Sequence, residues 1–205
     1  MKKPNRKAEF IIMVGTNGTG KSTIMKKFLP MNERNLIIPA NGLDEAWLEI
    51  PKLECKPVFI GKKIDHYEIP GLNSFRGTRQ VVIYDEKMFD AICHPENGYM
   101  NGGLFMDDFK NYIPTKGTLP ANVNRLFSDR RHKMLDIFAA THSYQKINAD
   151  MFDFEPTILQ FKTTRPLTDY LSDKIMNFEE LKVVFDRVNE KSEKNAHYFE
   201  IFETA

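Results

Sequence analysis

The sequence is poor in cysteine. Its two, Cys55 and Cys93, lie far apart and form no CxxC pair, so they read as reduced thiols of a cytosolic protein rather than a disulfide framework. Long apolar runs are also missing. None approaches the roughly 18 residues needed to span a bilayer, and no membrane partner is expected. The basic start "MKKPNRKAEF" is followed only by the apolar Phe10 to Val14, shorter than the roughly 7–15 residues of a secretory core, so no signal peptide is expected. An excess of one charge is absent as well. Twenty-nine Lys and Arg against 28 Asp and Glu leave a net +1, so any attraction to nucleic acid must be local. Taken alone, the denser basic clusters, Lys26-Lys27 and "RRHK" at 130–133, read as solvated helix faces. Internal repeats and low-complexity stretches are lacking too.

What is present suits one domain over 1–205, long enough to bury a core. Residues 1–8 read as a polar tail. Phe10–Val14 reads as a buried strand stopped by Gly15, and a helix from Lys21 to Leu29 is closed by Pro30. A strand is expected over 35–40 and a short helix over 44–50. Residues 51–80, dense in proline and glycine, suggest a hairpin or loop-rich insertion. "RQVVIY" (79–84) reads as a strand, 85–94 as a helix with an acidic first turn, and "LFM" (104–106) as an apolar strand. A helix over 121–133, a buried strand at 135–141, a short helix over "SYQKINADMF" and a strand at 157–164 follow. The C-terminal part, 165–205, offers a helix at 177–194 and a last strand at 197–202. Asn177 would cap that helix, with Glu180 three residues on. Strands alternating with helices imply an α/β fold, a largely parallel central sheet flanked by helices.

The segment Gly15-Thr16-Asn17-Gly18-Thr19-Gly20-Lys21-Ser22 fits GxxxxGK[ST] in full, and Thr23 continues it. Glycines let the backbone curl until its N–H groups face phosphate oxygens, and the following helix adds its positive end. Lys21 would reach the β- and γ-phosphates, while the Ser22 hydroxyl would ligate Mg²⁺. A strand before the loop and a helix after it make this the nucleoside-triphosphate pattern, with ATP and Mg²⁺ as the expected cofactors.

Hydrolysis needs a carboxylate at the C-terminal edge of a neighbouring strand, where parallel sheets bind ligands. "GGLFMDDF" delivers Asp107 and Asp108 there. Asp107 would hold the cation through its water shell, and Asp108 would polarise the attacking water. Asp85, after "VVIY", reads instead as a helix cap. The strand "LDIFAATHSYQ" ends in Thr141 and His142, a polar pair placed where a γ-phosphate or the attacking water would lie; the bland alternative is a cap with His142 merely exposed. Between these strands, the expected helix carries Val123, Leu126 and Phe127 on one stripe, extended by Arg130 at i+7 and edged by Arg131 at i+8. Arg125 and His132 point the other way. Such an arginine either pairs inside the fold or meets a neighbouring subunit as an arginine finger.

Through "GTNGTGKS", "GLFMDDF" and "RLFSDRRHKMLDIFAATHSYQ" the chain resembles the FtsK/HerA-type P-loop ATPases, with the economy of the small genome-packaging ATPases of viruses. The likeness spans roughly 9–165. Thr141 matches the threonine of the family's Thr-Gln sensor, His142 replaces its glutamine, and Asp108 stands where the family has a catalytic glutamate. The resemblance implies a homo-oligomeric ring that threads double-stranded DNA, with an arginine of one subunit set against its neighbour's ATP. It further implies capsid or portal-vertex partners and a place in the host-cell cytoplasm or with the virion. A few lysines repeated around a ring axis would reconcile a near-neutral chain with a DNA channel.

Three other readings stay open. A Zot-like phage morphogenesis ATPase would share most motifs but add a membrane-spanning tail. A small-molecule or nucleoside kinase also opens with GxxxxGKST, yet carries an arginine-rich lid. An ATP-dependent assembly factor or switch would bind nucleotide and hydrolyse little.

Overall fold

A computed structural model describes residues 8–204. The expected polar tail lies outside the described residues except for Ala8, which is buried. In chain order the strands are β1 (Phe10–Val14), β2 (Arg34–Ile38), β3 (Lys56–Ile60), β4 (Lys63–Glu68), β5 (Gly77–Gln80), β6 (Gly102–Met106), β7 (Leu135–Thr141), β8 (Thr157–Phe161) and β9 (Phe199–Glu203). The helices are α1 (Lys21–Phe28), α2 (Glu86–Cys93), α3 (Ala121–Ser128) and α4 (Phe178–Lys191), with short 3-10 turns between.

Seven strands form the central sheet in the order β5-β2-β6-β7-β1-β8-β9. Every pairing is parallel except β8 with β9. Strand β7 therefore lies between β1, which feeds the glycine loop, and β6, which feeds the two aspartates. The central strands are apolar without alternation because both faces of a parallel sheet are covered. Successive side chains divide between two cores: Ile12, Leu104 and Ile137 face one, Met13, Phe105 and Phe138 the other. Phe138 stacks on Phe105 at 4.5 Å and on Phe28 at 5.0 Å between ring centroids. Phe138→Ala would therefore unpack α1 from the sheet, at about 3–5 kcal/mol.

Within 51–80 the chain forms an antiparallel hairpin, β3 with β4, in a two-stranded sheet of its own that packs on α2. Several expected elements end early or do not form. Residues 44–50 make successive turns rather than a helix: Asp44 accepts from the Ala46 N–H at 3.0 Å, and Pro51 disfavours helical backbone just before it. Strand β5 stops at Gln80, whose N–H turns to Pro51 and whose carbonyl turns to Leu53. Helix α3 closes at Ser128, whose hydroxyl donates to the Arg125 carbonyl. The expected stripe of Val123, Leu126 and Phe127 is buried on α3, but the helix ends before it reaches Arg130 and Arg131, which lie in the turns leading to β7. "SYQKINADMF" is two 3-10 turns, and the Asn177 side chain makes no capping bond to α4. Asp85, in contrast, caps α2 by accepting from the Met88 N–H at 2.8 Å.

Candidate active site

The loop between β1 and α1 is held from below before it meets any ligand. The N–H of Gly15 donates to the Thr141 carbonyl and that of Thr16 to the Lys162 carbonyl, while the Thr19 hydroxyl closes the turn onto the Thr16 carbonyl at 2.9 Å. A Cβ on Gly15 would lie 2.5 Å from the Phe161 Cβ, so only glycine fits there. Gly20, at φ 92°, takes the left-handed conformation that turns the chain into α1. Asn17 and Gly18 are exposed at the crest, and Ser22 and Thr23 open α1.

Lys21 is buried, and its ammonium donates to the carbonyls of Gly15 at 2.6 Å and Thr16 at 2.9 Å. Burial pushes its pKa down from the ordinary lysine value, and the nearby charges of Asp107 and Asp108 oppose that shift.

Asp107 closes β6 one strand beyond β7. Its Oδ2 accepts from the Ser22 hydroxyl at 2.9 Å and from the indole Nε1 of Trp47 at 3.0 Å. In a continuing strand the next side chain would point to the opposite face. Asp108 avoids this by adopting φ 52° and ψ 53°, a left-handed turn, and so reaches the same cleft as Asp107. Its Oδ2 lies 2.9 Å from the Lys110 ammonium and 3.4 Å from Nε2 of His142. Oδ1 of Asp108, Nδ1 of His142 and the Thr141 hydroxyl are buried without a hydrogen-bond partner among the described residues. Such orphaned polar atoms, clustered at one strand edge, are costly unless a ligand or water completes them.

The cleft is about 540 Å³ and joins the loop, the two aspartates and His142, a size suited to a small-molecule ligand. It also admits residues that the sequence motifs did not mark: Asn41, Asp44 and His197. Asp44 is half-buried, which raises its carboxyl pKa, with the Asp107 charge adding to the effect. The His197 ring lies against Gly20, 3.2 Å from where a Cβ would stand. Asp44 follows an irregular segment and His197 precedes β9, so neither position had a motif to signal it. Trp47 is fully buried beneath the same wall.

Among the described residues no group of three His, Cys, Asp or Glu side chains is arranged to hold a metal. The cleft instead offers the Ser22 hydroxyl and the Asp107 carboxylate, hard oxygen donors of the kind Mg²⁺ takes together with waters and phosphate oxygens. That donor set fits the cation.

The arginines stand elsewhere. Arg130 accepts the first backbone bond of β7, from Leu135 at 2.8 Å, so it lies at the opposite end of that strand from Thr141, about 20 Å away at ~3.3 Å per residue. Its guanidinium is buried and donates to the carbonyls of Phe127 at 2.9 Å and Phe154 at 3.1 Å. Two of the three guanidinium nitrogens thus hold the turns before β7, contacts that suit a structural role for Arg130, while its Nε is buried without a hydrogen-bond partner among the described residues. Arg131 is exposed, and no bond or ion pair engages its side chain among the described residues. No described helix is long and apolar enough to cross a membrane.

No protein-family model matches the chain, and no curated protein matches its sequence. Solved structures match its fold. The genome packaging NTPase B204 from Sulfolobus turreted icosahedral virus 2, in complex with sulfate, aligns over 97% of this chain and 92% of its own, with TM-score 0.63 and 15% identity. The AMPPCP complex of the same protein aligns over 98% and 94%, with TM-score 0.62 and 15% identity. B204 from Sulfolobus Turreted Icosahedral Virus, described as a DNA-packaging ATPase, aligns over 96% and 92%, with TM-score 0.58 and 14% identity. The chain thus has the α/β fold of a viral genome-packaging NTPase along nearly its whole length.

Proposed function

We propose that this protein is a Mg²⁺-dependent ATPase of FtsK/HerA type that moves double-stranded DNA, packaging a viral genome into a capsid. The observation that carries the reading is the 2.9 Å bond between Ser22 Oγ and Asp107 Oδ2, which joins the phosphate-binding pattern to the acidic strand end in one cleft.

The chemistry follows from the donors. Backbone N–H groups of 15–20 and the Lys21 ammonium neutralise the phosphate tail. Ser22 and Asp107 would hold the cation, which would supply positive charge to offset the negative charge of the phosphates. Asp108, steadied by Lys110 and His142 and with Oδ1 still an unused acceptor, would orient the attacking water. Thr141 and His142 would report the γ-phosphate to β7.

Arg131, exposed and remote from its own loop, suits a finger supplied to a neighbouring subunit, which makes the protein a homo-oligomeric ring with the DNA in its channel. The fold shared with packaging NTPases supports capsid or portal-vertex partners and a cytoplasmic place of work. The whole chain would act as one domain. The alternative of an assembly switch with little hydrolysis draws on the same Asp108 contacts, since Lys110 and His142 both engage Oδ2 of that carboxylate.

The test is the ATPase rate with Mg²⁺, with and without duplex DNA, alongside the assembly mass in solution. Turnover that rises with DNA in an oligomer supports the motor. Nucleotide binding with negligible turnover under both conditions favours the switch.

A further inference from the structure

We infer that Trp47, the chain's single tryptophan, is a positioning residue for the cation at Asp107 and an intrinsic reporter of that site. This rests on the nucleotide-site reading above.

Trp47 lies in the turn-rich strap between β2 and β3, fully buried in the apolar cluster of Met25, Ile37 and Phe105. A buried indole brings a polar N–H that needs a partner. Here the partner is not a nearby carbonyl but the Asp107 carboxylate, at 3.0 Å. Ser22 donates to the same oxygen. With Oδ2 held by two donors, the plane of the carboxylate is set, and Oδ1 is the oxygen left to accept from the water shell of a cation. No donor reaches Oδ1 among the described residues.

The indole is itself held at several points. Its ring has the Lys26 ammonium of α1 5.3 Å from the centroid. Its backbone carbonyl accepts from Gln80 Nε2 at 2.8 Å, and its N–H donates to the Asp44 carbonyl at 2.9 Å. A chain of bonds thus runs from edge strand β5 through Trp47 to Asp107 and Ser22. The same anchor places Asp44 on the cleft wall. Partners that orient a ligating carboxylate typically contribute 10- to 100-fold in metal affinity.

The test measures binding of a fluorescent ATP analogue (a mant-ATP) in EDTA and in Mg²⁺. Trp47→Phe keeps a ring in the apolar cluster and removes the N–H. It is expected to leave affinity in EDTA unchanged and to reduce the gain brought by Mg²⁺ by roughly 10-fold. Ile37→Val, which trims the same cluster without touching Asp107, is expected to leave the gain intact. An unchanged Mg²⁺ gain in Trp47→Phe, or an equal loss in Ile37→Val, overturns the inference.

Should Trp47→Phe not fold, the unmodified protein decides. Its tryptophan emission is expected to change when Mg²⁺ is added at saturating ATP analogue, and an emission indifferent to Mg²⁺ overturns the inference. Failure of the unmodified protein to bind the analogue at all would instead defeat the nucleotide-site reading.

Discussion

The two ends of β7 carry opposite solutions to the placing of charge. At the C-terminal end, Thr141 and His142 meet Asp108, Lys21 and the glycine loop, and the polar groups are drawn into one cleft. At the N-terminal end Arg130 is folded inward, its two terminal nitrogens bonded to carbonyls and its Nε buried without a partner among the described residues, while Arg131 stays exposed. One end gathers acceptors and a cation around the glycine loop. The other presents Arg131, exposed and with no bonded partner for its side chain among the described residues. The ends are about 20 Å apart, so a guanidinium at one cannot reach the glycine loop at the other within the same subunit.

The largest effect expected from breaking this arrangement is at Lys21. Lys21→Ala removes the ammonium held at the loop mouth, and ATP turnover should fall at least 100-fold, to about the background level. At the far end, Arg131→Ala should lower turnover about 10³-fold while nucleotide affinity, read by a fluorescent analogue, stays unchanged. Asp108→Asn should leave ATP bound and slow turnover by about 10²-fold. Unchanged turnover would move the water-orienting role to Asp44, which Asp44→Asn then checks.

Arg130→Ala should act on stability instead. Two buried carbonyls would lose charged donors, at about 2 kcal/mol, lowering Tm by about 4–8 °C with nucleotide affinity per folded molecule retained. Outside the comparison, Glu200 supplies a control. The Arg187 guanidinium, bonded to it at 2.8 and 2.9 Å, pulls its carboxyl pKa down from 4.5 to about 2. A depressed folded pKa stabilises above the ordinary value and is lost as pH falls through the folded one. The Tm gap between the protein and Glu200→Gln should therefore be small at neutral pH, shrink below about pH 4.5 and vanish near pH 2; a gap that widens on acidification would contradict this assignment.

The C-terminal end of the sheet was the legible one. A glycine loop, a strand of five buried residues before it and an apolar strand ending in two acids are local patterns, and each maps onto one element. The other end was not legible, because its outcome depends on tertiary contacts. The periodicity of 123–131 suits a helix, yet Ser128 and Asp129 close it locally and Arg130 bonds the nearby Phe127 carbonyl and the distant one of Phe154. The helix expected over 44–50 failed for a related reason. Its helical composition is overridden by Asp44 capping its own turn and by Trp47 reaching Asp107, a partner 60 residues away that no local pattern announces. His197 and Asp44 enter the cleft in the same silent way.

Mixing inactive Lys21→Ala chains with inactive Arg131→Ala chains tests most directly whether the two ends of β7 serve one site in different subunits. The account predicts that the mixture regains ATP turnover, because a mixed assembly sets an intact Arg131 of one chain against an intact loop of another. A mixture as inactive as its parts, in an assembly shown to contain both chains, would contradict it.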